Sequence, residues 1–180
     1  MDLHNLLRID SWKRPPVFDH FSSTLYLKLS RQWISGVVLP SGEAFSERPL
    51  LALRYEDGKP RVLAAGEAAQ QLQGQEGVEI VNGFDHPRSL LANFSFAEMT
   101  LKLLVGRLAP RSLLKAAPVL ILHPQELLEG GLTQVEIRGL YELCRGAGAR
   151  KVRLWTGHEL TQEELRSGQF PVGAGTEWFP

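Results

Sequence analysis

The sequence predicts an α/β domain built on a mixed β-sheet with flanking helices. Between residues 24 and 65, apolar and polar residues alternate in short runs that turn residues interrupt, which is typical of an antiparallel meander. From residue 95 onward, apolar helical segments alternate with short apolar strands, which is the pattern of successive α-β units. A length of 180 residues with 43% hydrophobic residues suits one such domain with a substantial core.

The first half of the chain carries the meander. Leu25, Leu27 and Leu29 alternate with Tyr26 and Lys28, so they predict one apolar face on a half-buried strand. A turn at 56–58 favours a hairpin. A short helix is predicted over 67–72, ended by the glycine at 74. The predicted strands of this half cover residues 25–29, 35–39, 50–55, 62–65 and 78–81.

The second half contains three sequences of the capping-box type, in which a Ser or Thr stands three residues before a Glu and begins a helix. Between the predicted helices, short apolar strands are expected over 119–122 and 152–155. The three predicted boxes pair Ser95 with Glu98, Thr133 with Glu136, and Thr161 with Glu164.

Composition excludes several classes of protein. The 20 basic and 20 acidic side chains give a net charge of zero, which offers no field for nucleic acid. The single cysteine excludes a disulfide framework and a thiolate zinc cage. The five histidines lack the spacing of a helical metal site, so no metal is expected. The N-terminus has no basic start followed by an apolar stretch, so we expect a cytoplasmic protein.

Three segments are predicted along the chain. Residues 1–23 form an N-terminal arm, residues 24–172 the domain with a small insertion at 62–93, and residues 173–180 a C-terminal tail. Leu6 and Leu7 could share one helical face with Trp12 before the prolines at 15 and 16. The arm is therefore either a strap packed on the domain or a helix that docks on a partner or a membrane surface.

Several motifs, in order and spacing, resemble the MreB family of bacterial actins, which determine rod shape. Arg145–Val152 (RGAGARKV) resembles the family's QGAGAREV, and Thr133–Arg138 (TQVEIR) resembles TQVERR. Val62–Leu72 and Leu91–Phe94 are similar to two further stretches of the family. The similarity runs from Leu25 to about Val172 and corresponds to the N-terminal half of the family. It implies a single ribonuclease-H-like domain of the actin type, whose relatives close two such domains on ATP and magnesium.

The resemblance also implies that the first phosphate loop is degenerate. The family's D-L-G-T-A-N-T aligns with residues 28–34, where Lys28 replaces the acid near the metal, Ser30 replaces the glycine, and Arg31 replaces a small residue. The chain also ends near the point where the family's second domain begins. We therefore expect no nucleotide cofactor and no ATPase activity.

Two sets of residues carry alternative interpretations. Glu136 aligns with the glutamate that positions the attacking water in the family, but it also fits the third helical position of a capping box. Lys28, Ser30 and Arg31 form either a solvated hairpin without a ligand or a residual site for a nucleotide or another anion, completed by a partner chain.

The expected function is that of a non-catalytic, truncated MreB-like protein that acts through protein contacts in cell shape or the cytoskeleton. Its expected partners are full-length MreB, the elongation machinery or a second copy, with no nucleic acid. The alternatives are the residual anion-binding protein and an adaptor at a membrane surface. The candidate interface residues are Leu6, Leu7, Trp12, Trp178 and Phe179.

Overall fold

The computed structural model describes residues 22–110 and 116–180. The predictions for residues 1–21, including those for Leu6, Leu7 and Trp12, lie outside the described residues. Strand β1 begins at Ser22, so residues 22 and 23 belong to the sheet and not to the arm.

The first three strands form an antiparallel meander, of which the sequence predicts the first two strands; the predicted strands at 50–55 and 62–65 lie in a separate sheet. β1 spans Ser22–Leu29, β2 spans Ile34–Leu39, and β3 spans Glu43–Glu47. β2 pairs with both of the others in antiparallel register. The sequence does not predict β3 because its polar residues at 43, 46 and 47 leave little apolar alternation at this sheet edge.

The next elements form a separate small sheet. β4 (Leu50–Glu56) lies between β5 (Lys59–Ala65) and β6 (Glu79–Asn82), and the short helix α1 (Glu67–Gln70) follows β5. The sequence predicts an insertion that starts at residue 62, but the small sheet already begins with β4 at residue 50. β4 pairs with both neighbours in antiparallel register, and the three strands form a sheet of their own.

The remaining elements complete the main sheet. They are α2 (Phe94–Leu108), β7 (Ala116–Pro124), α3 (Gln134–Gly146), β8 (Lys151–Gly157), α4 (Gln162–Ser167) and β9 (Gly175–Trp178). The strand order is β3-β2-β1-β7-β8-β9, with β1, β7 and β8 parallel and β9 antiparallel to β8. The predicted mixed sheet with flanking helices is confirmed. The predicted tail is wrong as a separate segment, because residues 175–178 form the edge strand.

Helix caps explain where the helices begin. Thr133 and Thr161 each form a capping box with the glutamate three residues later, as predicted. The box predicted at Ser95 is wrong, because the N-cap of α2 is Asn93, two residues earlier. Asn93 lies in an extended conformation and its side-chain oxygen accepts a hydrogen bond from the Phe96 N–H at 3.1 Å. Gly168, with φ of 66°, ends α4 in the left-handed region that glycine tolerates.

The main sheet is covered on both faces. Leu25, Leu27 and Leu29 point toward α2 and α3 and belong to the larger core cluster with buried residues such as Leu101 and Leu140. The opposite face carries a smaller cluster around Tyr26, Ile121 and Trp155, closed by the segment that contains Leu160 and Leu165. Among the described helices, none combines the length and apolar character needed to cross a bilayer.

Candidate functional site

The turn between β1 and β2 holds the three residues that align with the family's phosphate loop. Leu29 pairs with Ile34, and the Ser30 N–H donates to the Trp33 carbonyl at 2.9 Å. The Ser30 hydroxyl accepts from the Trp33 N–H at 3.0 Å and lies 3.2 Å from the Trp33 carbonyl oxygen. The hydroxyl of Ser30 is therefore used within the turn itself.

Arg31 is bound to a carboxylate from the loop between β7 and α3. Both its backbone N–H and its guanidinium Nε donate to Glu126, the latter at 3.3 Å. The Arg31 carbonyl accepts from the side-chain amide of Asn82 at 2.8 Å. Leu127, the next residue after Glu126, has φ of 60°, a conformation that leucine rarely adopts. The chain thus supplies its own anion to a backbone N–H of this turn.

Lys28 is paired with a second carboxylate. Its Nζ lies 2.7 Å from Glu159 Oε1, in the loop between β8 and α4. The lysine side chain is 25% exposed and the glutamate 63%, so the pair lies at the surface. A pair of this kind contributes up to about 1 kcal/mol. Lys28, which the resemblance aligns with an acid near magnesium, is therefore a compensated cation.

A buried polar network lies beside Lys28 on the same face of the sheet. Tyr26 Oη and His123 Nδ1 are 2.6 Å apart, and His123 Nε2 is 3.1 Å from the Gly157 carbonyl oxygen. Since that carbonyl only accepts, the imidazole donates through Nε2 and accepts the Tyr26 hydroxyl proton at Nδ1. The Tyr26 oxygen in turn accepts from the Leu160 N–H at 3.2 Å. Each hydrogen bond of this network therefore pairs one donor with one acceptor.

Burial changes the proton affinity of both side chains in this network. Burial raises the pKa of Tyr26 to about 12, so its hydroxyl stays protonated. Burial also lowers the pKa of His123, which keeps the imidazole neutral near pH 7. The pair joins β1, β7 and the β8–α4 loop behind the hairpin.

Glu136 lies at the start of α3 and completes its capping box. Its Oε2 accepts from the Thr133 N–H at 3.0 Å and from the Thr133 hydroxyl at 2.8 Å. The Glu136 N–H donates to the Thr133 oxygen at 3.2 Å. The hydrogen bonds of its carboxylate therefore serve the helix end, and the acids that contact the hairpin are Glu126 and Glu159 instead.

The candidate interface residues at the end of the chain have different environments. Trp178 lies in β9, pairs with Leu154, and donates from its indole Nε1 to the Thr156 hydroxyl at 2.7 Å. Phe179 is 70% exposed. The structure thus uses Trp178 within the sheet and leaves Phe179 at the surface.

The hairpin does not fit MgATP. A cation stands where the metal-associated acid would be, and a backbone donor that could approach a phosphate already donates to Glu126. Within residues 22–110 and 116–180, no three His, Cys, Asp or Glu side chains come together in a way that could hold a metal ion. Cys144 is fully buried, and burial raises its pKa to about 12, which suits a core side chain and not a nucleophile.

Comparison with known proteins gives one sequence relative and several structural ones. No protein-family model matches the chain. The uncharacterized protein YjaA of Escherichia coli (strain K12) is 38% identical over 89 residues, which are 47% of this chain and 70% of YjaA. The chain belongs to the YjaA family.

The fold of this YjaA-family chain is similar to that of actin-like proteins. MreB5 of Spiroplasma citri matches with a TM-score of 0.56 and 20% identity when bound to ADP, and 0.53 and 21% when bound to AMPPNP. The MamK double helical filament matches with a TM-score of 0.51 and 12% identity. Each match covers 74% of this chain but only 37%, 38% and 40% of the respective neighbour. The chain has an actin-like fold, as predicted, and spans less than half the length of these neighbours.

Sequence reasoning misses the two glutamates that contact the hairpin. Glu126 follows β7 and Glu159 follows β8, and both strands run parallel to β1. Because the carboxyl ends of parallel strands meet at one edge of a sheet, acids just beyond these strands lie beside the end of β1. That rule, applied to the predicted strands at 119–122 and 152–155, could have found both residues.

Proposed function

We propose that this YjaA-family chain is a non-catalytic MreB-like protein, equivalent to the N-terminal half of the family, that acts through protein contacts in the cytoplasm. Its partners are a full-length bacterial actin, proteins of the elongation machinery, or a second copy of itself. Its role is in cell shape or a related cytoskeletal process, without nucleotide hydrolysis.

The observation that carries the proposal is the contact of Glu126 with the backbone N–H of Arg31. A phosphate that approached this turn would have to displace a carboxylate that the chain itself holds in place, and a tethered group competes at a high effective concentration. Lys28 adds a cation where Mg²⁺ would be needed, and like charges repel. Both effects oppose MgATP binding.

The same contacts weigh against a residual anion site. Lys28 and Arg31 are the two cations that such a site would use, and each is already paired with a glutamate. The hydroxyl of Ser30 is hydrogen-bonded within the turn. A free anion would therefore find the donors of this hairpin engaged.

An exposed apolar patch supports a role in protein contacts. Val135 is 82% exposed at the start of α3, and Phe94 is 41% exposed at the start of α2. Both line a groove with Gly139 and Pro180, next to the exposed Phe179. Exposed apolar groups that lie together are typical of interaction surfaces.

Co-sedimentation with preformed filaments of purified full-length MreB tests the proposal, with sedimentation velocity of the chain alone in parallel. We expect the chain either to pellet with the filaments or to self-associate, and Val135→Asp to weaken that interaction. Lys102→Glu on the exposed side of α2 is the control and should have no effect. A chain that stays in the supernatant and sediments as a monomer would overturn the proposal.

A further inference from the structure

A second groove lies on the main sheet, at the opposite end from the hairpin. Its floor is apolar: Leu39, Ile121 and Leu165 are buried and Val119 is partly buried. The groove lies on the α4 face, where β1, β7 and β8 begin and α4 ends. Its volume is about 580 Å³, which is within the range of about 300–1,000 Å³ that holds a ligand or a few residues of a peptide.

The rim of this groove is cationic. Arg150, Lys151, Arg153 and Arg166 line it, and none of its described lining residues is an Asp or Glu. Lys151 and Arg166 are exposed. The chain as a whole has a net charge of zero, so this concentration of one sign is local and is not a consequence of a basic protein.

Arg153 is compensated by an acid and builds the wall of the groove. Arg153 donates to both carboxylate oxygens of Glu177, at 2.6 and 2.7 Å, and to the Gly168 carbonyl at 2.7 Å. Its guanidinium carbon lies 3.4 Å from the centre of the Phe170 ring. These contacts fix β9 and the end of α4 relative to β8, so the groove has rigid sides.

Lys151 and Arg166, at the rim, make a different contribution. No ion pair joins Lys151 or Arg166 to an acid within the described residues. Both flank an apolar floor, so an occupant can bury apolar side chains while its carboxylates meet the rim. Arginine favours carboxylates because its planar guanidinium can donate two parallel hydrogen bonds.

We propose that this groove docks an acidic segment of a partner protein, one whose apolar side chains enter the groove and whose carboxylates contact Lys151 and Arg166. Charge complementarity identifies the occupant, since a basic segment would face Lys151 and Arg166, which no acid among the described residues pairs with. The inference rests on the proposed function in taking the occupant to be a protein, and it adds the chemistry of the segment that binds.

Fluorescence anisotropy with two labelled peptides tests the proposal on the full chain. One peptide alternates glutamate with leucine, and the other alternates lysine with leucine at the same length. We expect saturable binding of the acidic peptide only, weakened by added NaCl because salt screens exposed charges. In the Lys151→Glu/Arg166→Glu variant, binding should weaken at least about tenfold.

Lys102→Glu is the matched control, because it reverses one exposed charge on the opposite face of the sheet and should leave peptide binding unchanged. A photo-crosslinking leucine analogue in the peptide should label the groove. Equal binding of both peptides, or binding that the double variant leaves unchanged, would overturn the proposal. The peptide assay uses no nucleotide and no filament, so it is independent of the co-sedimentation assay. A failure of the peptide to bind is therefore distinguishable from a failure of the proposed function.

Discussion

Replacing Glu126 tests how the hairpin is held. The Glu126 carboxylate makes an ion pair with the Arg31 guanidinium at 3.3 Å and accepts the Arg31 backbone N–H. Glu126→Gln removes the charge but keeps an oxygen that can accept from the N–H. Because the two side chains are 31% and 35% exposed, loss of the ion pair should cost only about 0.5–1 kcal/mol of unfolding free energy.

Glu126→Ala also removes the acceptor. The backbone N–H of Arg31 is then left without its partner in a partly buried turn, which costs a further 1–3 kcal/mol, roughly. The total of about 1.5–4 kcal/mol corresponds to a fall in Tm of several degrees for a chain of this size.

Urea unfolding followed by circular dichroism measures these differences. Glu129→Ala, in the same loop and exposed, is the matched control and should leave the midpoint unchanged. The graded order of wild type, Gln variant and Ala variant separates the charge from the hydrogen bond. A Glu126→Ala variant as stable as the Glu129→Ala control would refute the inference that Glu126 stabilises the hairpin through Arg31.

Three further predictions concern the rest of the fold. Since burial lowers the pKa of His123, the unfolded chain binds a proton more readily than the folded chain. The free energy of unfolding should therefore be constant above about pH 6.5 and fall below it by up to about 1.4 kcal/mol per pH unit. Urea midpoints measured between pH 5 and 7.5 should depend less on pH in His123→Gln than in the control His86→Gln. Thr133→Ala should lower the free energy of unfolding by about 1 kcal/mol because it removes the α3 cap. Unchanged urea midpoints in both Thr133→Ala and Glu136→Ala would count against the capping role of Glu136. Trp155→Ala should lower the free energy of unfolding by about 3–5 kcal/mol, measured with heat or urea, because the side chain is buried. Trp33→Ala, at an exposed site, should cost far less. Equal losses would contradict the packing described for the α4 face.

The fold class could be predicted from the sequence because local signals and tertiary structure agree over most of the chain. The alternation of Leu25, Leu27 and Leu29 matches the buried face of β1, and the capping boxes at Thr133 and Thr161 begin helices where predicted. Residues 175–178 become a strand only by pairing with β8, and GTEW carries little local signal for that. Likewise, the division into two sheets depends on pairing partners that periodicity does not specify.

The candidate site was predicted less completely than the fold. The alignment identifies Lys28, Ser30 and Arg31 correctly as residues of one hairpin, since they are adjacent in sequence. Their partners Glu126 and Glu159 come from loops 95 and 131 residues away in sequence, and only the parallel arrangement of the strands brings them together. The cationic groove has the same origin, because rim residues of β8 and α4 meet a floor formed by residues of β2, β7 and α4.

Isothermal titration of the wild-type chain with MgATP tests the central claim most directly. The claim is that the hairpin binds the carboxylates of Glu126 and Glu159, from two other loops of the chain, in place of a nucleotide. We predict no saturable heat up to millimolar MgATP, and the same result with MgADP. Saturable binding with a micromolar Kd, lost in the Lys28→Ala variant, would contradict it and would make the hairpin a nucleotide site after all.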